Sequence, residues 1–89
     1  MLLQGKNAII TGTNRGMGQA MVEAFAANGA GIWVHARKET PEFLNDMKHI
    51  AQQAKVEIRP LFFELTDYEA MKRNVKEIMA SKIPVDILV

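Results

Sequence analysis

The fold is decided by the stretch TGTNRGMG, residues 11–18. It follows the short apolar run Asn7–Thr11, which predicts a strand, and precedes Gly16–Asn28, where apolar residues recur at helical spacing. The N–H groups in the first turn of a helix have no partners within the helix, so a glycine-rich turn leading into a helix is suited to binding an anion. This order predicts the first unit of an α/β sheet with a phosphate-binding loop.

Each of the three glycines in this turn has a steric reason. Gly12 lets the chain leave the strand sharply, Gly16 removes a Cβ where a phosphate would approach, and Gly18 allows the helix to pack close to the sheet. The spacing differs from Gly-x-Gly-x-x-Gly, and the lack of a following Gly-Lys-Ser/Thr excludes a P-loop. A glycine-rich loop without a ligand is the structural alternative, and the position between strand and helix favours phosphate binding.

The remaining sequence alternates short apolar runs with longer stretches of helical period. The runs Ile32–Ala36, Val56–Phe63 and Val85–Val89 predict three further strands. Two more helices are predicted between these strands, one ending near Lys55 and one ending before Pro84. Short strands joined by helical crossovers pair in parallel, so the sequence predicts one parallel sheet.

Capping signals mark the helix ends. Thr40, Pro41 and Glu42 combine an N-cap hydroxyl, a proline in the first turn and an acid at the positive end of the helix dipole. Residues 66–69, TDYE, match a capping box that opens the third helix. Gly29 predicts a left-handed cap after the first helix. The helical residues expected in the core are Met17, Ala20, Met21, Ala24 and Phe25, then Phe43, Leu44, Met47, Ile50, Ala51 and Ala54, then Met71, Val75, Ile78 and Met79.

Two features concern the edges of the sheet. Pro60 indicates that the third strand lies at an edge, because proline cannot donate to a neighbouring strand. The fourth strand runs into Val89 without a turn, polar tail or cap. Exposed apolar sheet edges are normally covered, so we expect the natural protein to continue beyond Val89.

Composition and charge exclude several classes of protein. A hydrophobic fraction of 48% and a charged fraction of 24% over 89 residues exclude a disordered or fibrous chain. A net charge of +1 argues against nucleic acid as a partner, and the absence of cysteine excludes disulfides and thiolate metal sites. His35 and His49 have no metal-ligand spacing. The apolar runs are too short to span a membrane and no secretion signal is present, so we expect a cytoplasmic location.

The pattern Thr11-Gly12-x-x-x-Gly16-x-Gly18 resembles the nucleotide-binding motif of the short-chain dehydrogenase/reductase family. The similarity extends over the whole chain and is greatest to 3-oxoacyl-[acyl-carrier-protein] reductases of fatty acid biosynthesis. The resemblance implies an oxidoreductase that binds NADP and forms a tetramer. The residues expected to bind the cofactor are Gly12, Thr13, Asn14, Arg15, Gly16, Met17, Gly18, Arg37, Glu64 and Leu65.

The end of the second strand indicates the choice of cofactor. Dinucleotide folds read the adenosine ribose there, with a carboxylate for a free 2′-hydroxyl and an arginine for a 2′-phosphate. This chain has Arg37 at that position, and the resemblance implies that Arg37 and Arg15 together favour NADP. Two solvated arginines are the alternative, and Glu39 would reach the ribose if the register were slightly different.

The sequence ELTD, residues 64–67, corresponds to a family segment that contacts adenine. Glu64 replaces the usual aspartate, which alters the side-chain contact, whereas the backbone amide of Leu65 keeps its role. For Thr66 and Asp67 we favour helix capping over cofactor binding.

Tyr68 and Lys72 match the Tyr-x-x-x-Lys spacing of the family's catalytic pair. The family carries that pair on a helix after the fifth strand with a serine upstream, whereas here the helix follows the third strand and Ser81 lies downstream. We therefore interpret the match as coincidental and expect no catalytic residue within this chain. Trp33 is expected to be packed, and His35 to be a satisfied core or ligand-flanking histidine.

Together these features predict an α/β protein, the N-terminal half of a doubly wound Rossmann fold with a parallel sheet of order 3-2-1-4. Residues 1–89 form one dinucleotide-binding segment. The favoured function is the NADP-binding portion of an NADPH-dependent carbonyl reductase, acting on a small-molecule or acyl-carrier-bound substrate such as a 3-oxoacyl thioester. A non-catalytic NADP-binding sensor is the alternative, and the residues after Val89 would distinguish the two.

Overall fold

The computed structural model describes residues 2–13 and 16–89. Strands and helices alternate along the chain, as predicted. The elements are β1 (Asn7–Ile10), α1 (Gly16–Ala27), β2 (Gly31–Ala36), α2 (Pro41–Ala54), β3 (Ile58–Phe62), α3 (Tyr68–Ala80) and β4 (Ile87–Leu88).

The four strands form one parallel sheet in the order β3-β2-β1-β4, which confirms the predicted order. In the register, Ile9 lies opposite Trp33 on one side and Leu88 on the other. Pro60 lies opposite Val34, in a strand that is at the edge of the sheet as predicted. All four strands end at the same side of the molecule, which brings the loops after β1, β2 and β3 together.

Helices α1 and α2 cover one face of the sheet. Their buried side chains, Val22, Ala26, Phe43 and Met47, pack with the β2 residues that point to this face. On α2 the predicted core positions Phe43 and Met47 are confirmed. On α1 the predicted stripe is wrong in part, because Met17 is 81% exposed whereas Val22 and Ala26 are buried. Most sides of α1 carry apolar or small residues, so their spacing does not fix which side meets the sheet.

Helix α3 lies on the opposite face, where Ile78 packs with Trp33 and Leu61. The predicted core stripe of α3 is also wrong in part, because Val75 and Met79 are 48% and 72% exposed. Ala70, Asn74 and Ile78 are four residues apart and lie along one line of the helix. Val75 and Met79 each follow that line by one residue, a rotation of about 100° that takes them away from the sheet.

The helix caps confirm two predictions and correct a third in part. Thr40 Oγ1 accepts a hydrogen bond of 3.2 Å from the Phe43 amide, and Gly29 follows α1 with a φ of 91°. At α3 the prediction of capping by Thr66 and Asp67 is confirmed for Asp67, whose Oδ1 accepts from the Ala70 amide at 3.0 Å, and is wrong for Thr66. The physical reason is that α3 begins at Tyr68, which places the residue before it, Asp67, at the cap.

Candidate nucleotide-binding site

The glycine turn between β1 and α1 has the geometry that its sequence requires. Gly12 has a φ of +63°, in the left-handed region that favours glycine. A Cβ added to Gly18 would overlap the carbonyl oxygen of Gly12, so the first turn of α1 approaches the loop after β1 too closely for any side chain. A Cβ at Gly16 would meet no atom within 4 Å. Gly18 therefore serves packing against the loop, while the space beside Gly16 is open.

Thr13 anchors this loop from the inside. Its side chain is fully buried, and both its amide nitrogen and its Oγ1 donate to the carbonyl oxygen of His35, at 2.9 and 2.8 Å. The hydroxyl thus faces the end of β2. Asn14 and Arg15, which are also predicted to bind the cofactor, lie outside the described residues. Met17 lies in the first turn of α1 with its side chain exposed.

The imidazole of His35 joins two loops at the carboxyl edge of the sheet. Nδ1 lies 3.2 Å from the amide nitrogen of Gly12, and Nε2 lies 2.9 Å from the carbonyl oxygen of Phe63. The residue is 2% exposed, and its ring packs on that of Phe63 with 4.4 Å between centroids. His35 is therefore a satisfied histidine, as expected, but the sequence did not reveal which groups it joins. Its alternation with Trp33 was the only available signal that it faces α3.

Arg37 and Glu64 form an ion pair at the ends of β2 and β3. Arg37 Nε lies 3.1 Å from both carboxylate oxygens of Glu64, and the two side chains are 62% and 44% exposed. Parallel neighbours β2 and β3 end at the same edge, which is why residues so distant in sequence meet. The sequence predicts that both residues lie near the adenosine, but it does not predict their contact. The carboxylate beside Arg37 belongs to Glu64, in the segment that follows the neighbouring strand β3.

Leu65 lies in the turn that leads into α3. The Asp67 amide donates to the carbonyl oxygen of Glu64 at 3.0 Å and closes this turn, and the Leu65 side chain is 52% exposed. The described members of the predicted set therefore lie on three neighbouring segments. These segments are the glycine turn with the start of α1, the residues after β2, and the residues after β3.

Tyr68 and Lys72 lie on the exterior of α3. The tyrosine is 67% exposed, and Lys72 Nζ lies 5.1 Å from the centre of its ring. A phenol used as a proton donor in catalysis must face a substrate in a shielded cleft. Tyr68 faces solvent beside its own helix, which supports the interpretation of this pair as a chance match.

Residues 2–13 and 16–89 contain neither a cluster of metal ligands nor a membrane-spanning helix. Within these ranges no three His, Asp or Glu side chains come together in a group that could hold a metal ion. None of the helices in the same ranges combines the length and apolarity needed to cross a membrane.

Comparison with known proteins extends these observations. A family model described as short chain dehydrogenase matches residues 6–89. A short chain dehydrogenase of Pseudocercospora fijiensis is 38% identical over 98% of this chain and 28% of its own length. The 3-oxoacyl-[acyl-carrier-protein] reductase of Salmonella typhimurium is 33% identical over 100% of this chain and 34% of its own length. The chain thus spans about a third of the length of these relatives.

Solved structures show the same architecture. L-sorbose reductase from Gluconobacter frateurii, complexed with NADPH and L-sorbose, superposes with a TM-score of 0.85 at 28% identity, over 97% of this chain and 32% of that one. Carveol dehydrogenase from Mycobacterium avium, in complex with NAD, gives a TM-score of 0.83 at 25% identity, over 98% and 35%. The sheet order, the glycine turn and the family match agree, and the chain belongs to the short chain dehydrogenase family.

Proposed function

We propose that this chain is the NADP-binding portion of an NADPH-dependent carbonyl reductase. The observation that carries the proposal is the position of Arg37 at the end of β2, the strand end where dinucleotide folds distinguish a 2′-phosphate from a 2′-hydroxyl. The glycine turn lies after the adjacent strand β1. The N-terminus of α1, which is suited to an anion, and the guanidinium of Arg37 therefore lie at the same edge of the sheet.

The residues fit a dinucleotide because the space beside Gly16 is open and the glycine turn leads directly into α1. The amides at the start of α1 and the helix dipole would hold the pyrophosphate. Arg37 would bind the 2′-phosphate, and the Leu65 amide would contact the adenine. The bound cofactor supplies the hydride for reduction of a carbonyl. In this proposal residues 2–89 bind and orient the cofactor, and proton donation to the substrate is left to residues outside the chain.

Glu64 modulates the charge that Arg37 offers. The ion pair uses Nε, and within the described residues the terminal nitrogens of Arg37 make no hydrogen bond. These nitrogens can address a phosphate while Glu64 holds the other side of the guanidinium. The carboxylate also places a negative charge near the proposed phosphate, which weakens the preference for NADPH. At about 1.5–3 kcal/mol for a charged hydrogen bond, reduced by exposure, the preference for NADPH over NADH is about 10-fold or more.

The remaining parts of the proposal come from the family resemblance. The substrate is a carbonyl compound, with 3-oxoacyl thioesters as the first class to test. The intact protein is a tetramer, which light scattering on the purified protein would detect, and the sequence itself suggests a cytoplasmic location. Acetoacetyl thioesters supplied with NADPH test the activity, since oxidation of the cofactor is followed directly. An intact protein that binds NADPH but reduces no carbonyl compound would instead favour a nucleotide sensor.

Fluorescence titration tests the cofactor assignment directly. NADPH and NADH are titrated at fixed salt into the intact protein and its Arg37→Asp variant. We expect Arg37→Asp to raise the dissociation constant for NADPH and to leave that for NADH unchanged or lower. Arg73→Asp on the exposed side of α3 makes the same change of charge away from the site and is the matched control. Equal affinity of the unmodified protein for both cofactors would overturn the assignment.

A further inference from the structure

His35 makes two hydrogen bonds that together define its chemical state. The Gly12 amide can only donate, so Nδ1 must carry a lone pair towards it, at 3.2 Å. The Phe63 carbonyl can only accept, so Nε2 must carry a hydrogen towards it, at 2.9 Å. Only the neutral imidazole with its hydrogen on Nε2 satisfies both contacts. The alternative tautomer would place a hydrogen towards a donor and a lone pair towards an acceptor.

The backbone carbonyl of His35 also binds the next residue of the loop, Thr13. The carbonyl oxygen of His35 accepts from both the amide nitrogen and the hydroxyl of Thr13. Consecutive loop residues, Gly12 and Thr13, are thus bonded to one residue of β2. Gly12 is also the residue whose carbonyl is approached by Gly18, so its position sets where α1 can begin.

On its other side His35 contacts the segment that enters α3. The imidazole bonds the Phe63 carbonyl and packs on its ring, and Phe63 immediately precedes Glu64 and Leu65. Residues that the proposed function assigns to the pyrophosphate and to the adenine therefore lie on opposite sides of one buried ring. The neighbouring charged residues on these segments are Arg37 and Glu64, which pair with each other.

We propose that His35 is a positioning residue for the nucleotide, which fixes the glycine turn against the β3–α3 segment through a single neutral tautomer. This inference rests on the proposed function for its effect on binding, and on geometry alone for its effect on the loop. The His35 side chain forms hydrogen bonds to backbone groups of the loops, so His35 would act on the cofactor indirectly, through Gly12 and Phe63. Loss of the Nδ1 acceptor leaves the Gly12 amide without its partner and the loop less fixed.

Three substitutions separate the two contacts. His35→Asn retains an amide oxygen near the position of Nδ1, His35→Gln extends an amide towards the Phe63 carbonyl, and His35→Phe retains ring volume without either contact. ADP-ribose is the binding probe, because it carries the pyrophosphate and lacks the 2′-phosphate that Arg37 would address. Hydrogen exchange of the Gly12 amide in the intact protein reports on the loop without any ligand, and imidazole 15N NMR reports the tautomer.

We expect the unmodified protein to show the Nε2–H tautomer and a protected Gly12 amide. His35→Phe should weaken ADP-ribose binding about tenfold and accelerate exchange at Gly12, as expected for loss of the hydrogen bond that holds the Gly12 amide. His35→Asn should restore both properties to within about threefold of the unmodified protein, whereas His35→Gln should restore neither. Rescue by Asn and failure of Gln cannot result from a general loss of packing.

The inference is overturned by an Nδ1–H tautomer, by unchanged Gly12 exchange in His35→Phe, or by an Asn variant as impaired as the Phe variant. If His35→Phe does not fold, the comparison of Asn with Gln decides the same question. An unmodified protein that binds neither ADP-ribose nor NADPH refutes the proposed function, while the tautomer and the Gly12 exchange still decide the role of His35 in the loop.

Discussion

Arg37 Nε lies 3.1 Å from Glu64 Oε1, although 27 positions separate the two residues. The pair joins the ends of β2 and β3 at the edge where the proposed adenosine site lies. Both side chains remain partly exposed, so the carboxylate reduces the field of the guanidinium without burying it. Under the proposed function, cofactor preference therefore depends on two residues of opposite charge.

Removing the charge of Glu64 should strengthen NADPH binding. Exposed ion pairs contribute about 0.2–1 kcal/mol, so Glu64→Gln should lower the NADPH dissociation constant by up to about fivefold and leave NADH within twofold. Fluorescence titration of both cofactors measures this effect. Glu57→Gln, at the other end of β3, is the matched control for the change of charge. Weaker NADPH binding by Glu64→Gln would mean that the carboxylate mainly orients Arg37.

Alanine at Gly18 and at Gly16 should have opposite effects on stability. A Cβ at Gly18 overlaps the Gly12 carbonyl, so Gly18→Ala should lower the free energy of unfolding by about 1–3 kcal/mol. A Cβ at Gly16 meets open space, and alanine favours a helix, so Gly16→Ala should leave stability unchanged or raise it by up to about 1 kcal/mol. Urea unfolding of the intact protein measures both.

Nucleotide binding by the Gly16→Ala protein provides a second test of the space beside Gly16. We expect Gly16→Ala to fold normally but to bind ADP-ribose more weakly, because its methyl group would occupy the space assigned to the pyrophosphate. Normal binding by a stable Gly16→Ala protein would show that the phosphate lies elsewhere.

Substitution of Tyr68 should not affect reduction of a carbonyl substrate. In the described part of the chain its phenol is exposed on the outside of α3 beside Lys72, and not in a shielded cleft. We expect Tyr68→Phe to retain the kcat and KM of the unmodified intact protein in an NADPH oxidation assay. A large loss of kcat, with an unchanged melting temperature, would contradict the interpretation of Tyr68 and Lys72 as a chance match.

The cap of α3 provides a test of the corrected helix boundary. Asp67→Ala removes the acceptor of the Ala70 amide and should lower the free energy of unfolding by about 1 kcal/mol. Thr66→Ala should change it by less than about 0.5 kcal/mol, because exposed substitutions away from caps have little effect. Thermal unfolding of both variants tests whether Asp67, and not Thr66, caps α3.

Element order could be predicted from local sequence because glycine turns, capping residues and short apolar runs act within a few positions. The order of the strands followed instead from the doubly wound Rossmann fold that the sequence predicts. The same local logic found Thr40 and Gly29 at helix ends. Periodicity was less informative for α1 and α3, because their apolar residues extend beyond one narrow stripe. Which side of each helix faces the sheet then depends on how the helix surface packs against the sheet surface.

Contacts between distant segments were beyond sequence reasoning for a different reason. The bond from His35 to Phe63 and the pair of Arg37 with Glu64 depend on the register of β2 against β3. A shift of one residue would send the side chains to opposite faces of the sheet. Spacing along the chain carries no information about that register.

The inward hydroxyl of Thr13 has a consequence for how this protein could change its cofactor. Because that side chain is committed to the His35 carbonyl and glycines occupy other positions of the turn, the described part of the turn offers mainly backbone to a ligand. Backbone amides do not distinguish one dinucleotide from another. Under the proposed function, the discrimination that the described residues provide therefore comes from a few side chains at the ends of β2 and β3, and we expect substitutions there to redirect selectivity while the backbone contacts to the pyrophosphate stay unaltered.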